Sequence, residues 1–500
     1  GRTKLGGDEL AYRRYQTELE LYRDPFSLVQ PPEALEFTKR PNCVLHFVGH
    51  ALPYKQTGYT MRTKRIVESQ RALGLSPVVA VQAGVYGFEE TQFETVGTVP
   101  HYFLGGASRT ASVWDDWLQL NVDQLAQIAA EVRPSVLHAH SDFINAFICI
   151  VVGEALDIPV VYEQRGFWEE SWLSRTDVGV KAEALSMLNY REMYEFRKAR
   201  ETEMRQRADH VVTLSQVMRE HIHSMDHEVG HESSVTIVPN AVDIEQFAVM
   251  SDGANVRTDL ELRGHVFGYV GSMVHYEGID ILIAAFRLLK TLAEMLCQDD
   301  LSDLNPKEIA SHLRATAKRT GRALSNDEAL EFIKGVQSSS ADLSQLRDAK
   351  LLLVGGGSIA EKWAQSVDEN EGIVFTGQVA NDDVAEYYGA IDTFVIPRRP
   401  DRVCDLVSPL KPFEAMASGK HVVVSDVRAL KEIAEQSGSI ETFRAGSVTS
   451  LAEQLVNVSI GEKRDDDAGT RAREWCLNNR TWDGNAAVSY THLTLPTTPY

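Results

Sequence analysis

Short runs of Val, Ile and Leu, closed by Gly, Pro or Asp and separated by helical patterns, recur through most of this chain. A run without polar alternation suits a strand buried on both faces, and such strands belong to parallel sheets. In the first half the predicted strands are 44–48, 77–81, 135–139, 159–162, 210–214 and 235–238. In the second half they are 266–271, 350–354, 373–375, 393–396 and 421–424. Strands alternating with helices imply right-handed crossovers and an open, doubly wound α/β sheet in each half. At 500 residues the chain exceeds what one core ordinarily serves, so two such domains are expected.

The hinge falls just after Pro239-Asn240-Ala241-Val242-Asp243. That gives a first domain over 41–240 and a second over 241–480, with a polar, helix-prone extension over 1–40. Residues 291–345 break the rhythm and read as a solvated helical insertion on the second domain. The abruptly Thr- and Pro-rich end places a tail, 485–500, outside the fold. In doubly wound sheets ligands bind beyond the carboxyl ends of the strands, so motifs at those ends carry the functional argument.

Hydrophobic residues at 43% and charged residues at 24% give each half material for a core. The 71 acidic and 50 basic residues leave a net charge of −21, which argues against nucleic acid as a partner. A small basic pocket remains compatible with that balance. The cysteines Cys43, Cys149, Cys297, Cys404 and Cys476 are scattered and form no CxxC pair. A disulfide framework or zinc site is therefore not expected, and a reducing compartment fits. No run is long and apolar enough for a membrane span, and no signal-peptide pattern opens the chain. The expected location is cytoplasmic.

Gly355-Gly356-Gly357-Ser358 follows the predicted strand 350–354 and precedes a helical pattern. Glycines there let backbone N–H groups approach an anion, although a tight strand-to-helix turn needs the same residues. The spacing is not GxGxxG, which disfavours a dinucleotide site. The stretch from Val407 to Gly419 (VSPLKPFEAMASG) places Lys411 and Glu414 three apart at a loop-to-helix transition framed by prolines. Lys411 can neutralise a diphosphate and Glu414 can accept ribose hydroxyls. By themselves they could equally be a surface ion pair. Asp465-Asp466-Asp467 lies in a polar run and reads as a solvated charge cluster rather than a metal motif.

Taken in order, several segments resemble the GT4-type (group 1) retaining glycosyltransferases of the GT-B fold. They are LHFVGHALPYKQTGYTMR from Leu45, VLHAHSD from Val136, VVYEQRGFWEESW from Val160 and IVPNAVD from Ile237, followed by 267–286, 351–357 and 374–432. The resemblance covers about 43–290 and 346–480. It implies two Rossmann-like domains facing a central cleft, with the second holding a nucleotide-sugar donor. It further implies that Gly58 offers its N–H to the donor and that His140 contacts the donor sugar near the reacting carbon. Tyr59, Arg62, Glu163, Arg165 and Glu169 would shape the acceptor side. Glu414 would bind ribose, and backbone groups around Gly377 would read the base, with Gly355 and Gly356 beside the phosphates. Transfer would retain the anomeric configuration and need neither metal nor cofactor. The acceptor would be a glycan, a lipid-linked glycan or a small molecule, and a lipid-linked one would bring the protein to the inner face of the membrane.

The chain departs from the family pattern in two places. The first acid of the paired motif falls on Leu406, with Asp405 one position earlier as its stand-in. The basic pair after the first strand of the second domain is Ser272 and Glu277. Positive charge for the diphosphate must then come from Lys411 first and from Arg398, Arg399 or Arg402 next. Lys411, His140 and Asp405 are thus the catalytic candidates. A nucleotide-sugar 2-epimerase of the same fold and a non-catalytic sugar-nucleotide binder are the competing readings.

Overall fold

The computed structural model describes residues 7–33, 37–175, 188–231, 233–243, 246–247, 253–296, 306–319, 324–338, 343–357, 359–380, 383–460 and 465–494. It divides into two compact units, Gly1–Asn240 with Trp482–Tyr500, and Ala241–Thr481. Among the described residues, the first unit holds an eight-stranded sheet. Its strands are β1 (Cys43–Val48), β2 (Ser76–Val81), β3 (Gln92–Val96), β4 (Val99–Phe103), β5 (Val136–His140), β6 (Val160–Glu163), β7 (His210–Thr213) and β8 (Val235–Ile237). The order across the sheet is β3-β4-β2-β1-β5-β6-β7-β8. All neighbours pair in parallel except the β3–β4 hairpin.

β1, β5 and β6 are buried along their whole length, although His46, His138, His140 and Glu163 interrupt their apolar runs. Leu45, Phe47, Leu137 and Ala139 face a core that includes Leu118, Val122 and Leu125 of the helix Trp114–Val132 and Phe147 and Ile148 of the helix Phe143–Leu156. Strand periodicity puts His46, His138 and His140 on the opposite face. The alternating, half-exposed hairpin β3–β4 was not anticipated, because an edge strand lacks the continuous apolar run that marks the interior ones. The first forty residues are more than an extension. Leu21 and Tyr22, on the helix Gly7–Arg23, are buried in the unit's core, and Arg13 pairs with Asp115 at 2.5 Å. The tail boundary at 485 also shifts. The helix Trp482–Thr494 carries Asn485 and Ala486 into the interior, and Asn485 donates to the Pro239 carbonyl at 2.6 Å. Residues 495–500 lie outside the described set.

The described strands of the second unit form a six-stranded parallel sheet. They are β9 (Val266–Val270), β10 (Lys350–Val354), β11 (Ile373–Gly377), β12 (Thr393–Ile396), β13 (His421–Ser425) and β14 (Glu441–Phe443), in the order β11-β10-β9-β12-β13-β14. The expected solvated insertion is only partly so. Its helices Pro306–Arg319 and Asn326–Ser338 bury Ile309, Leu313, Ala317, Ala329, Phe332, Ile333 and Val336 in the main core. These residues recur at helical spacing, so each helix has one apolar stripe beneath an otherwise polar sequence. Within that segment 297–305, 320–323 and 339–342, Cys297 included, lie outside the described residues. The helix expected after Gly355–Gly357 amounts to Ala360–Ala364, and Ser358 is likewise outside the described set.

Each sheet has a switch point. From β1 the chain runs to β2 on one side and returns to β5 on the other; from β9 it runs to β10 and returns to β12. The carboxyl ends of those strand pairs are where such sheets bind ligands.

Candidate functional site

At the first unit's switch point lies a buried polar network. Glu163, at the end of β6, accepts from Arg62 Nη2 at 2.6 Å and Nε at 3.0 Å, and from Arg165 Nη2 at 2.8 Å. Arg62 spends its remaining N–H groups on the carbonyls of Val238 and Pro239, each at 2.8 Å, and on Asn240 Oδ1 at 3.1 Å. All five donors of that guanidinium are accounted for. Burial alone would raise the Glu163 carboxyl, but Arg165 and Arg62 hold it well below the usual carboxylate range.

Arg165 also donates to His140 Nδ1, and His140 Nε2 lies 2.8 Å from His46 Nδ1. His46 Nε2 is in turn 2.8 Å from Gln70 Oε1. An arginine can only donate, so the whole chain is proton-ordered. His140 accepts at Nδ1 and gives the Nε2 proton to His46, which gives its own to Gln70. Burial, then Arg165, pushes His140 far below its ordinary value, and burial, then His138, does the same to His46. His138, whose nitrogens have no hydrogen-bond partner among the described residues, is lowered by burial to about 4. The three histidines offer nitrogens within 4.8 Å of one another, a spacing a metal ion could bridge. The chemistry fits poorly: two guanidiniums share one carboxylate beside them, and two of the imidazoles are already bonded to each other.

The second unit's switch point gathers charge. Arg398 follows β12, and its Nη2 lies 3.1 Å from Glu277 Oε1 while Nη1 donates to the Val407 carbonyl at 2.9 Å. Lys411 Nζ stands 2.9 Å from Glu277 Oε2 and 4.9 Å from the Tyr269 ring centroid. Burial would raise the Glu277 carboxyl, but Arg398 and Lys411 draw it down to about 2. Burial lowers Lys411, and Glu277 opposes that shift. Glu414, on the helix Lys411–Ala417, accepts from the Tyr388 hydroxyl at 2.9 Å, and its carboxyl is raised by burial. Arg399 is engaged with Asp280 at 2.5 Å.

The structure sorts the sequence candidates. Lys411, Arg398 and Glu277 come together, although Glu277 had figured only as a lost cation. Asp405 is spent elsewhere: its Oδ1 accepts the Arg428 N–H at 2.8 Å, at the start of the helix Arg428–Ser437. Gly355 donates its N–H to the Gly377 carbonyl at 2.9 Å, so that N–H is already paired within the fold. Gly355 is needed for close packing, because at φ 124 a Cβ would stand 2.1 Å from the Gly271 carbonyl oxygen. Met273 N–H donates to the Gly356 carbonyl at 2.8 Å.

In the first unit, Arg62, Glu163, Arg165 and Glu169 are buried, and Arg165 Nε and Glu169 Oε2 have no hydrogen-bond partner among the described residues. Burial lifts the Glu169 carboxyl to about 7. Tyr59 is the exposed acceptor-side candidate, at 41%, with its ring 5.7 Å from that of Trp168. Gly58 is exposed at the start of the helix Gly58–Ala72, whose cap is Thr57. His140 is the last residue of β5 rather than the first after it. His46 and Gln70 were missed. The shared pattern of LHFV in β1 and LHAH in β5 is a signal that could have found His46, which lies opposite His138 in register; that pattern does not mark Gln70.

Two family models match in chain order, Glycosyltransferase Family 4 over residues 58–246 and Glycosyl transferases group 1 over 319–459. The chain belongs to the group 1, family 4 glycosyltransferases, and its two parallel-sheet units have the GT-B fold. Among curated relatives, the GDP-mannose-dependent alpha-(1-6)-phosphatidylinositol monomannoside mannosyltransferase of Mycobacterium tuberculosis is 28% identical over 144 residues. That match spans 28% of this chain and 37% of the relative, little more than a third of its length. Sucrose-phosphate synthase from Thermosynechococcus elongatus superposes with a TM-score of 0.62 at 15% identity, over 90% of this chain and 98% of that one. HepE from Anabaena, in complex with UDP-glucose, gives 0.57 at 14% identity, over 90% and 99%. At such identities the likeness is one of fold.

Proposed function

We propose that this glycosyltransferase is retaining and metal-independent, and that it moves a sugar from a nucleoside-diphosphate sugar to a hydroxyl of a glycan or lipid-linked acceptor. The observation that carries the reading is the meeting of Lys411 and Arg398 at the second unit's switch point, in a chain of net charge −21. A departing diphosphate gains negative charge as the glycosidic bond breaks. Fixed cations aimed at it stabilise that transition state. Glu414, on the first turn of the helix that Lys411 opens, is the candidate for the ribose hydroxyls.

Retention is best served by attack on the face the diphosphate leaves, with the leaving phosphate oxygen taking the acceptor's proton. The first unit supports that division of labour. His140 is neutral and has both nitrogens bonded within the fold, which suits a residue that shapes the end of β5 rather than a proton shuttle. The mycobacterial relative, by its name, uses GDP-mannose and acts on a phosphatidylinositol mannoside. This favours a lipid-linked acceptor reached from the membrane surface, and no described helix is long and apolar enough to cross a membrane. A cytoplasmic location and a role in polysaccharide or glycolipid assembly follow from this reading.

The test is a released-nucleotide assay over GDP-mannose, UDP-glucose and ADP-glucose with mixed acceptors. The proposal predicts nucleotide release that requires an acceptor and retains the anomeric configuration, undiminished by chelator. Conversion of donor with no acceptor present would instead identify an epimerase. The grip of Glu277 on both cations is the one observation that favours a non-catalytic sugar-nucleotide binder, and donor binding with no turnover across the panel would establish it.

A further inference from the structure

A carboxylate beside a diphosphate repels it, yet Glu277 is buried and grips both cations that ligand would need. The local fold is shaped to deliver it. Glu277 ends the turn His275–Glu277, and Gly278 follows at φ 74, where a Cβ would stand 1.9 Å from the Pro397 carbonyl oxygen. A side chain at 278 would push the turn away from Pro397 and therefore from Arg398. The Arg399 side chain donates to His275 O and its N–H to Tyr276 O, each at 3.0 Å, tying the same turn down. From the other side Lys411 crosses Gly271, where a Cβ would come within 2.3 Å of Lys411 Cε. Beside these groups stand Tyr269, whose hydroxyl donates to the Ser272 carbonyl at 2.7 Å, and the Glu414 carboxyl.

We propose that Glu277 is an internal competitor of the donor's diphosphate: a nucleoside diphosphate takes Lys411 from the carboxylate, and the returning carboxylate helps expel the product. This inference rests on the reading of the second unit as the donor site. It assigns Glu277 a role in product release, set by the exchange of one anion for another on the same cation. Substitution by glutamine removes the one carboxylate charge paired with both Lys411 and Arg398 without changing the side chain's shape.

The test compares wild type, Glu277→Gln and Glu277→Asp in titrations with GDP, UDP and ADP at two salt concentrations, with circular dichroism to verify folding. For whichever nucleotide binds, Glu277→Gln should lower Kd about tenfold or more, because a unit charge removed at contact distance outweighs a tenfold factor. Affinity should also fall more steeply with salt, and kcat should drop as release slows. Glu277→Asp, which keeps the charge on a shorter arm, should shift Kd the same way but less, and it decides the matter alone if the glutamine variant fails to fold. Unchanged or weaker binding in a folded variant would overturn the inference and make Glu277 a positioning residue that aims Lys411. Equal binding by wild type and Lys411→Ala would instead remove the donor site from this place, and the inference with it. If neither wild type nor Glu277→Gln binds any of the three, both fail.

Discussion

Glu163 is one carboxylate holding two guanidiniums in the interior, so its charge matters more than its size. Glu163→Gln leaves Arg62 and Arg165 buried without their counter-ion and should cost about 3–5 kcal/mol in urea unfolding. A loss below about 1 kcal/mol would mean that water reaches the network. Glu201 makes a different prediction. Its carboxyl accepts from the Tyr162 hydroxyl at 2.5 Å and from Phe143 N–H at 3.1 Å, and burial lifts it to about 8. A raised acid favours the folded state below its unfolded value of about 4.3, and that benefit is lost as pH climbs to about 8. Relative to Glu201→Gln, wild type should therefore lose about 1.4 kcal/mol per pH unit between pH 5 and 7, read from paired unfolding midpoints. A pH-independent difference would show that the carboxyl is already charged. At this scale the sequence said little. Arg62 and Glu163 are 101 positions apart, and no local spacing announces that they meet. The Lys411–Glu277 pair was hidden for a related reason: Glu277 stood where the family has a cation, and only folding reveals which cation it holds.

Among secondary-structure elements, the sequence revealed the interior strands most clearly, and it concealed β3, β14 and the apolar stripes of two polar helices. β10 and β12 match their apolar runs residue for residue, because an interior parallel strand leaves no room for polar alternation. β3, exposed at the edge, and β14, three residues long, offered no such run. The same cause made the helices Pro306–Arg319 and Asn326–Ser338 look solvated, since polar residues outnumber the stripe that meets the core. Phe332→Ala should therefore cost about 3–5 kcal/mol, as for a large core truncation, whereas a solvated insertion would lose almost nothing. Differential scanning calorimetry distinguishes the two. The helix Trp482–Thr494 calls for a parallel experiment. Trp482 lies under the Arg62 guanidinium at 5.7 Å and Ala486 is buried, so deleting residues 482–500 should lower the first unit's melting temperature. An unchanged transition would return those residues to the status of a tail.

For the whole molecule, the ordered succession of segments was the legible part. Separate motifs such as the glycine turn or the Lys411–Glu414 spacing each admit an ordinary structural explanation, while their order along two doubly wound sheets identifies the glycosyltransferase family. The order did not show which groups the fold keeps for itself. Asp405 Oδ1, the Gly355 N–H and the Arg62 guanidinium are engaged within the structure, whereas Lys411, Arg398 and Glu277 form a charged cluster at a switch point. In the proposed reaction the second unit's cations receive the departing diphosphate. That step is tested most directly by steady-state nucleotide release from wild type and Lys411→Ala, with the preferred donor and acceptor both present. Loss of one transition-state cation predicts a fall in kcat/KM of about a hundredfold or more in a normally folded variant. Turnover by Lys411→Ala equal to that of wild type would contradict it.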